Sequence, residues 1–312
     1  MSGRRRQTGA EPRPTEQEQA VLRFLLEQRY ATSRQLARAA RARYGSDRSA
    51  ARQTNRLLQK LGSVGLLHVL PRTVGGQARG SSAGIWTITN RGARVAGGGE
   101  IDSQQRKKRY RRDQDPSLTF LEHTLAISEL RVQLAELEDA HDLKVESITP
   151  EPACWRPYLG SAGQRIFLKP DLAVITSTPD GYEDHWFLEV DLATENPARI
   201  VAKCRQYQHY RRSGLEQRRT GVFPAVIWIT PTTRRRDQLA HRITSEADLD
   251  DQLFTVISLD EFQSLLRTGA SNYNTRKDHN HEAYAKLVFC RVKKMSPRTA
   301  LKASRKVRSG RR

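Results

Sequence analysis

Two apolar runs punctuated by acids constrain this chain more than any other feature. The runs are Arg165-Ile-Phe-Leu-Lys-Pro-Asp-Leu-Ala-Val-Ile175 and His185-Trp-Phe-Leu-Glu-Val-Asp191, and Thr178-Pro-Asp-Gly181 lies between them. Proline at the bend and glycine where a positive φ is needed predict a β-hairpin. Strand side chains alternate between faces, so Lys169 and Asp171 share one face of the first strand, and Glu189 and Asp191 share one face of the second. If those faces coincide, three carboxylates and a lysine converge. A buried charge is costly unless it is paired or binds a metal. The pattern therefore points either to a hard divalent cation, Mg²⁺ or Mn²⁺, or to strand ends where the acids reach water.

The partner is suggested by charge. Lys and Arg number 54 against 34 Asp and Glu, a formal net charge of +20, which favours a polyanion. An anionic membrane is the weaker match. No apolar run approaches the ~18 residues of a spanning helix, and the basic N-terminus is not followed by an apolar signal segment. Cys154, Cys204 and Cys290 are odd in number and far apart, so neither a disulfide framework nor a zinc site is expected. The expected compartment is the reducing cytoplasm.

Residues 1–14 read as a disordered basic N-terminus. Residues 15–96 read as a winged helix-turn-helix domain. Thr15 caps a first helix carrying Val21, Leu22, Leu25 and Leu26, Thr32-Ser33 opens a second, and Ser46 or Asp47 caps a third. Segments 65–70 and 84–89 then form strands around a basic, glycine-rich wing containing Arg79. In the third helix Ala51, Thr54, Leu57, Leu58 and Leu61 are expected to face inward. Arg48, Arg52, Gln53, Asn55, Arg56 and Gln59 are left for a major groove, where arginine addresses guanine edges and glutamine or asparagine addresses adenine edges. Residues 97–116 form a basic linker in which Arg106, Lys107, Lys108 and Arg109 can meet phosphates. From 117 to 268, a long helix, a short strand, the hairpin, and alternating helices and strands predict an α/β (α+β) domain with a three-layer mixed sheet. Residues 269–312 read as a basic disordered tail. Its His279-Asn280-His281 is a loop rather than a metal motif, because no third ligand is evident.

Pro170-Asp171, the hairpin and Glu189-Val190-Asp191 resemble the PD-(D/E)xK core of restriction-endonuclease-like nucleases. The order of winged helix, basic linker and core is similar to the replication-relaxation family of plasmids and integrative elements, over residues 15–268. The resemblance implies a nuclease-like domain at 117–268 that nicks or processes double-stranded DNA at an origin-like site by metal-dependent hydrolysis. It implies Mg²⁺ (or Mn²⁺) on Asp171 and Glu189, with Asp191 extending the site. A homodimer, replication or conjugation proteins as partners, and a location on nucleoid or plasmid are further expectations. One departure matters: Asp191 stands where such cores have lysine. Lys203 on the following helix is the favoured stand-in, with Lys169 as the alternative, and without either the domain would be a silent fold in a DNA-binding regulator. A strand-rejoining relaxase would instead need a nucleophile, for which Tyr207 or Tyr210 is the candidate.

Overall fold

The computed structural model describes residues 14–71, 83–97, 116–160, 162–179, 181–193 and 196–269, together with the backbone of 291–293. They form two compact units, residues 1–128 and 129–312.

The first unit begins with helix α1 (Glu16–Gln28), followed by strand β1 (Tyr30–Thr32), α2 (Ser33–Ala39) and α3 (Asp47–Ser63). Strands β2 (Leu67–Val69) and β3 (Ile85–Ile88) and helix α4 (Asn90–Val95) follow. The caps are local sequence effects. Thr15 with Glu18 and Thr32 with Gln35 form capping boxes, and Ser46 accepts from the Ser49 amide, so orphan amides of the first turns are satisfied. The three strands pair antiparallel in the order β1-β3-β2. Neither β1 nor α4 is anticipated by the sequence reading. α4 can lie close because residue 92 is glycine: a Cβ there would come within 2.1 Å of the Leu66 carbonyl oxygen. The wing residues 72–82 and the linker residues 98–115, with Arg79 and Arg106 to Arg109, lie outside the described residues.

Helix α5 (Leu118–Asp139) opens beyond the linker, and the boundary between the units falls within it at Ser128/Glu129. Leu121 and Leu125 cluster with Tyr30, Leu70 and Ile85. Ser128 donates to the Tyr30 carbonyl at 2.6 Å, and Gln35 donates to the Leu125 carbonyl at 2.9 Å.

In the second unit, β4 (Lys144–Pro150), β7 (Leu172–Ser177), β8 (Tyr182–Val190), β9 (Ala225–Thr230) and β10 (Phe254–Ser258) make one sheet in the order β10-β9-β8-β7-β4. β4, β7 and β8 pair antiparallel, whereas β8, β9 and β10 run parallel, so the sheet is mixed. β11 (Arg291–Lys293) adds antiparallel to the start of β8. Gly181 sits at φ 82° in the β7–β8 turn, where a side chain would be strained. Helices α6 (Pro197–Arg212), α7 (Leu215–Thr220) and α8 (Thr233–Thr244) alternate with the later strands, and α9 (Phe262–Thr268) follows β10. Alternation divides the strands as expected. Phe187, Val226, Trp228 and Val256 join Ile200, Cys204, Tyr207, Leu239 and Ile243 in one core. Trp186, Leu188, Ile227 and Ile229, on the other face, are buried as well. Each strand therefore reads as a near-continuous apolar run.

One expected strand is two. Arg165–Leu168 (β6) pairs with Arg156–Leu159 (β5) in a separate two-stranded ribbon, and β7 starts only at Leu172. The break falls at Lys169-Pro170-Asp171, where proline offers no amide to a ladder.

Candidate active site on the sheet

Asp171 and Glu189 stand opposite each other at the mouth of the hairpin. The Asp171 amide donates to the Leu188 carbonyl at 3.2 Å, extending the β7–β8 pairing by one residue, and the Val190 amide donates to Asp171 Oδ2 at 2.8 Å. Strand alternation aims Glu189 at α6, on the same face as Phe187.

α6 supplies the other groups, capped by Asn196 with Pro197 in its first turn. Lys203 and Tyr207 lie four residues apart, hence on one helical face. Lys203 Nζ donates to Glu189 Oε2 at 2.5 Å and lies 4.0 Å from Asp171 Oδ1, while the Tyr207 hydroxyl donates to Glu189 Oε1 at 2.5 Å. Both oxygens of a carboxylate only 1% exposed are thus engaged. Burial pushes the Glu189 pKa up to about 8 against the pull of Lys203. The Tyr207 hydroxyl is raised well above its ordinary value, first by burial and then by the Glu189 charge. Lys203 also approaches the Trp228 ring, 5.9 Å from its centroid. Asp171, with its side chain 13% exposed, is the acid through which solvent meets the cluster.

Asp191 takes a different partner. Its Oδ2 accepts from Arg235 Nε at 2.6 Å and its Oδ1 from the Ala193 amide at 2.9 Å, and its side chain is fully buried. Arg235 comes from α8, 44 residues later, and no local pattern announces it. Among the described residues, no group of three or more His, Cys, Asp or Glu could hold a metal, so Asp171 and Glu189 are a pair without a third ligand of those types.

Lys169 does not share a strand face with Asp171. The proline break turns it out to an exposed position, with Nζ 4.6 Å from the Trp155 ring centroid. Neither tyrosine presents a free hydroxyl: Tyr207 is bound to Glu189, and Tyr210 donates to Glu216 at 2.7 Å inside the core. The Tyr207 bond to Glu189 is the contact within the cluster that sequence reasoning missed. Its spacing from Lys203 was the available signal.

In the first unit, Arg48, Arg52, Gln53, Asn55, Arg56 and Gln59 of α3 are all exposed. The inward residues are Ala50, Thr54, Leu58 and Leu61, with Leu57 half-buried, so Ala50 replaces Ala51 in the buried set. His279, His281 and the basic tail beyond residue 293 lie outside the described residues.

Fold and site together define a mixed α/β protein with an acid pair bridged by a lysine on its sheet. The chain belongs to the replication-relaxation family, whose model matches residues 22–226. Among solved structures, restriction endonuclease FokI bound to DNA is matched at 11% identity and TM-score 0.21, over 80% of this chain and 44% of that one. The chain thus spans less than half the length of that nuclease. No curated protein matches. Among the described residues no helix is long and apolar enough to cross a membrane.

Proposed function

We propose that this replication-relaxation protein binds double-stranded DNA through a winged-helix unit and processes it by metal-dependent phosphodiester hydrolysis at Asp171, Glu189 and Lys203. The observation that carries the chemistry is the approach of one lysine to two acids from separate elements, 2.5 Å from Glu189 and 4.0 Å from Asp171. On this reading Lys203, from the following helix, would serve in place of the lysine that the PD-(D/E)xK pattern puts on the strand, where this chain has Asp191. The donor set fits Mg²⁺ or Mn²⁺, hard cations that accept one or two carboxylates and retain water. Bound there, such an ion would polarise the phosphate and activate water. Asp171 and Glu189 would hold it, Lys203 would turn from Glu189 to the developing phosphate charge, and Tyr207 would keep Glu189 oriented. Asp191, two residues beyond Glu189, would fix Arg235. With both tyrosine hydroxyls engaged, hydrolysis is favoured over a covalent tyrosyl route.

DNA binding is supported by the exposed arginine, glutamine and asparagine face of α3, opposite its buried face. Helix, strand, two helices and two further strands in a three-stranded antiparallel sheet support the winged-helix reading. A homodimer, replication or conjugation partners, and residence on plasmid or nucleoid go with the family and belong to the same proposal.

A second reading has its own observation. Both Glu189 oxygens are already engaged and Asp191 is sealed by Arg235, as suits a silent core in a DNA-binding regulator. One experiment separates the two. Wild-type and Asp171→Ala protein are incubated with supercoiled plasmid carrying the DNA that flanks the gene, with Mg²⁺, with Mn²⁺ or with chelator. Nicking by wild type alone, and only with metal, supports the nuclease. Mobility shifts by both proteins without nicking leave the regulator.

A further inference from the structure

The β5–β6 ribbon has one face in the core and one in solvent. Arg156, Tyr158 and Leu168 are buried, with Ile166 half-buried beside them, and Tyr158 and Leu168 belong to the core of the second unit. The opposite face carries Pro157, Leu159, Arg165 and Phe167, which meet as the cross-strand pairs Pro157 with Phe167 and Leu159 with Arg165. All four are exposed, Leu159 at 66% and Phe167 at 41%. The Arg165 guanidinium lies over the Phe167 ring, 5.2 Å from its centroid, which joins ring and cation in one exposed patch.

Charge selects the partner. From residue 156 to residue 169 there is no acid, whereas Arg165 and Lys169 stand exposed. The root of the ribbon is fixed beside the acid pair. Lys169 and Pro170 join β6 directly to Asp171, and Cys154 Sγ donates to the Pro170 carbonyl at 2.9 Å. Apolar and aromatic groups in a cationic setting suit unpaired bases, whose faces are free to stack while the arginine meets phosphate. In a duplex those faces are already stacked on one another.

We propose that the outer face of the β5–β6 ribbon, Pro157, Leu159, Arg165 and Phe167, binds unpaired single-stranded DNA and leads it to the Asp171–Glu189 cluster. The delivery step rests on the hydrolytic reading above; the binding step does not. The test uses the full chain in chelator, so that no cleavage is needed. Fluorescein-labelled oligothymidylate and a labelled duplex are titrated by anisotropy, at low and at raised salt. The doubly substituted Leu159→Ser, Phe167→Ser protein is expected to bind oligothymidylate about tenfold more weakly. Its duplex affinity is expected to be unchanged, and Phe167→Trp to retain single-strand binding. The deficit should persist at raised salt, because stacking releases few counterions while the basic segments lose their grip. Unchanged oligothymidylate affinity, or an equal fall for duplex, overturns the proposal. So does a wild-type dimer that the double variant lacks in sedimentation, with single-strand affinity unaltered. Arg52→Ala with Arg56→Ala tests the α3 reading separately: it should weaken duplex binding and spare oligothymidylate. Binding is read in chelator and nicking only with metal, so failure of the hydrolytic reading and failure of this one give different results.

Discussion

Lys203 reaches from helix α6 to Glu189 on strand β8 and closes a 2.5 Å ion pair with a carboxylate that has almost no contact with water. Lys203→Met leaves that carboxylate in the core with the Tyr207 hydroxyl as its remaining side-chain donor and Asp171 still nearby. Because Glu189 already holds a proton readily, it should accept one rather than remain charged. A stability loss of ~1–3 kcal/mol is expected from the denaturant midpoint. Metal-dependent plasmid nicking should disappear in the same variant while duplex affinity persists. Nicking by Lys203→Met at the wild-type rate would remove the lysine from the mechanism.

The raised Glu189 pKa sets a direction for pH. Unfolded, the group titrates near 4.5; folded, near 8. Between those values the native state binds the extra proton, so this group's contribution to stability is full below 4.5, falls as pH rises, and is gone above about 8. Glu18, whose pKa is lowered chiefly by its bond from Lys60, works in the opposite sense and loses its contribution in acid. Urea midpoints across this range should therefore slope less in Glu189→Gln than in wild type. Nicking that needs the ionised form should climb toward pH 8 in wild type.

Arg235 is the charged partner of a fully buried Asp191. Removing one member of such a pair strands the other, and Arg235→Ala should cost about 3–5 kcal/mol. Thermal unfolding of Arg235→Ala beside the double variant Arg235→Leu, Asp191→Leu tests this: the double variant should recover most of the loss. Equal destabilisation of both would mean that packing by Arg235, not its charge, is what matters.

On α3 the expectation is electrostatic. Each of Arg52→Ala and Arg56→Ala should leave stability within ~0.5 kcal/mol, since both positions are exposed. A residue that holds phosphate should reduce the salt slope of duplex binding by about one per contact, with the same loss on every sequence. A residue that reads a base should cost ~1–3 kcal/mol on the cognate site alone. Salt titrations on cognate and scrambled duplexes tell the two roles apart.

Much of this architecture is legible in the chain because its signals are local. The caps at Thr15, Thr32, Ser46 and Asn196, the Pro-Asp-Gly turn and the apolar strand at 225–230 each declare themselves within a few residues. Asp171, Glu189 and Lys203 fall together because the turn fixes the register of the two acids and helical spacing fixes the lysine. What failed was continuity. Pro170 divides an apolar run that looks unbroken, and β5, hidden in what reads as a loop, takes the first half as its partner. Lys169 therefore lies on a different surface from the one that strand alternation predicts. The Arg235–Asp191 pair joins residues 44 apart through the packing of α8, and nothing near either residue records it.

The lysine and its acids sit on different elements, and that separation has a consequence for how the protein fails. A strand-borne lysine two residues from Glu189 would keep its place for as long as the sheet survived. Lys203 keeps its place only while Ile200, Cys204 and Tyr207 hold α6 against Phe187 and Trp228. Loosening that interface by heat, or by trimming one of those side chains, would spread the cluster while the strands stayed paired. On the proposed hydrolytic reading, competence would rest on one helix–sheet contact, and inactivation should precede loss of the fold.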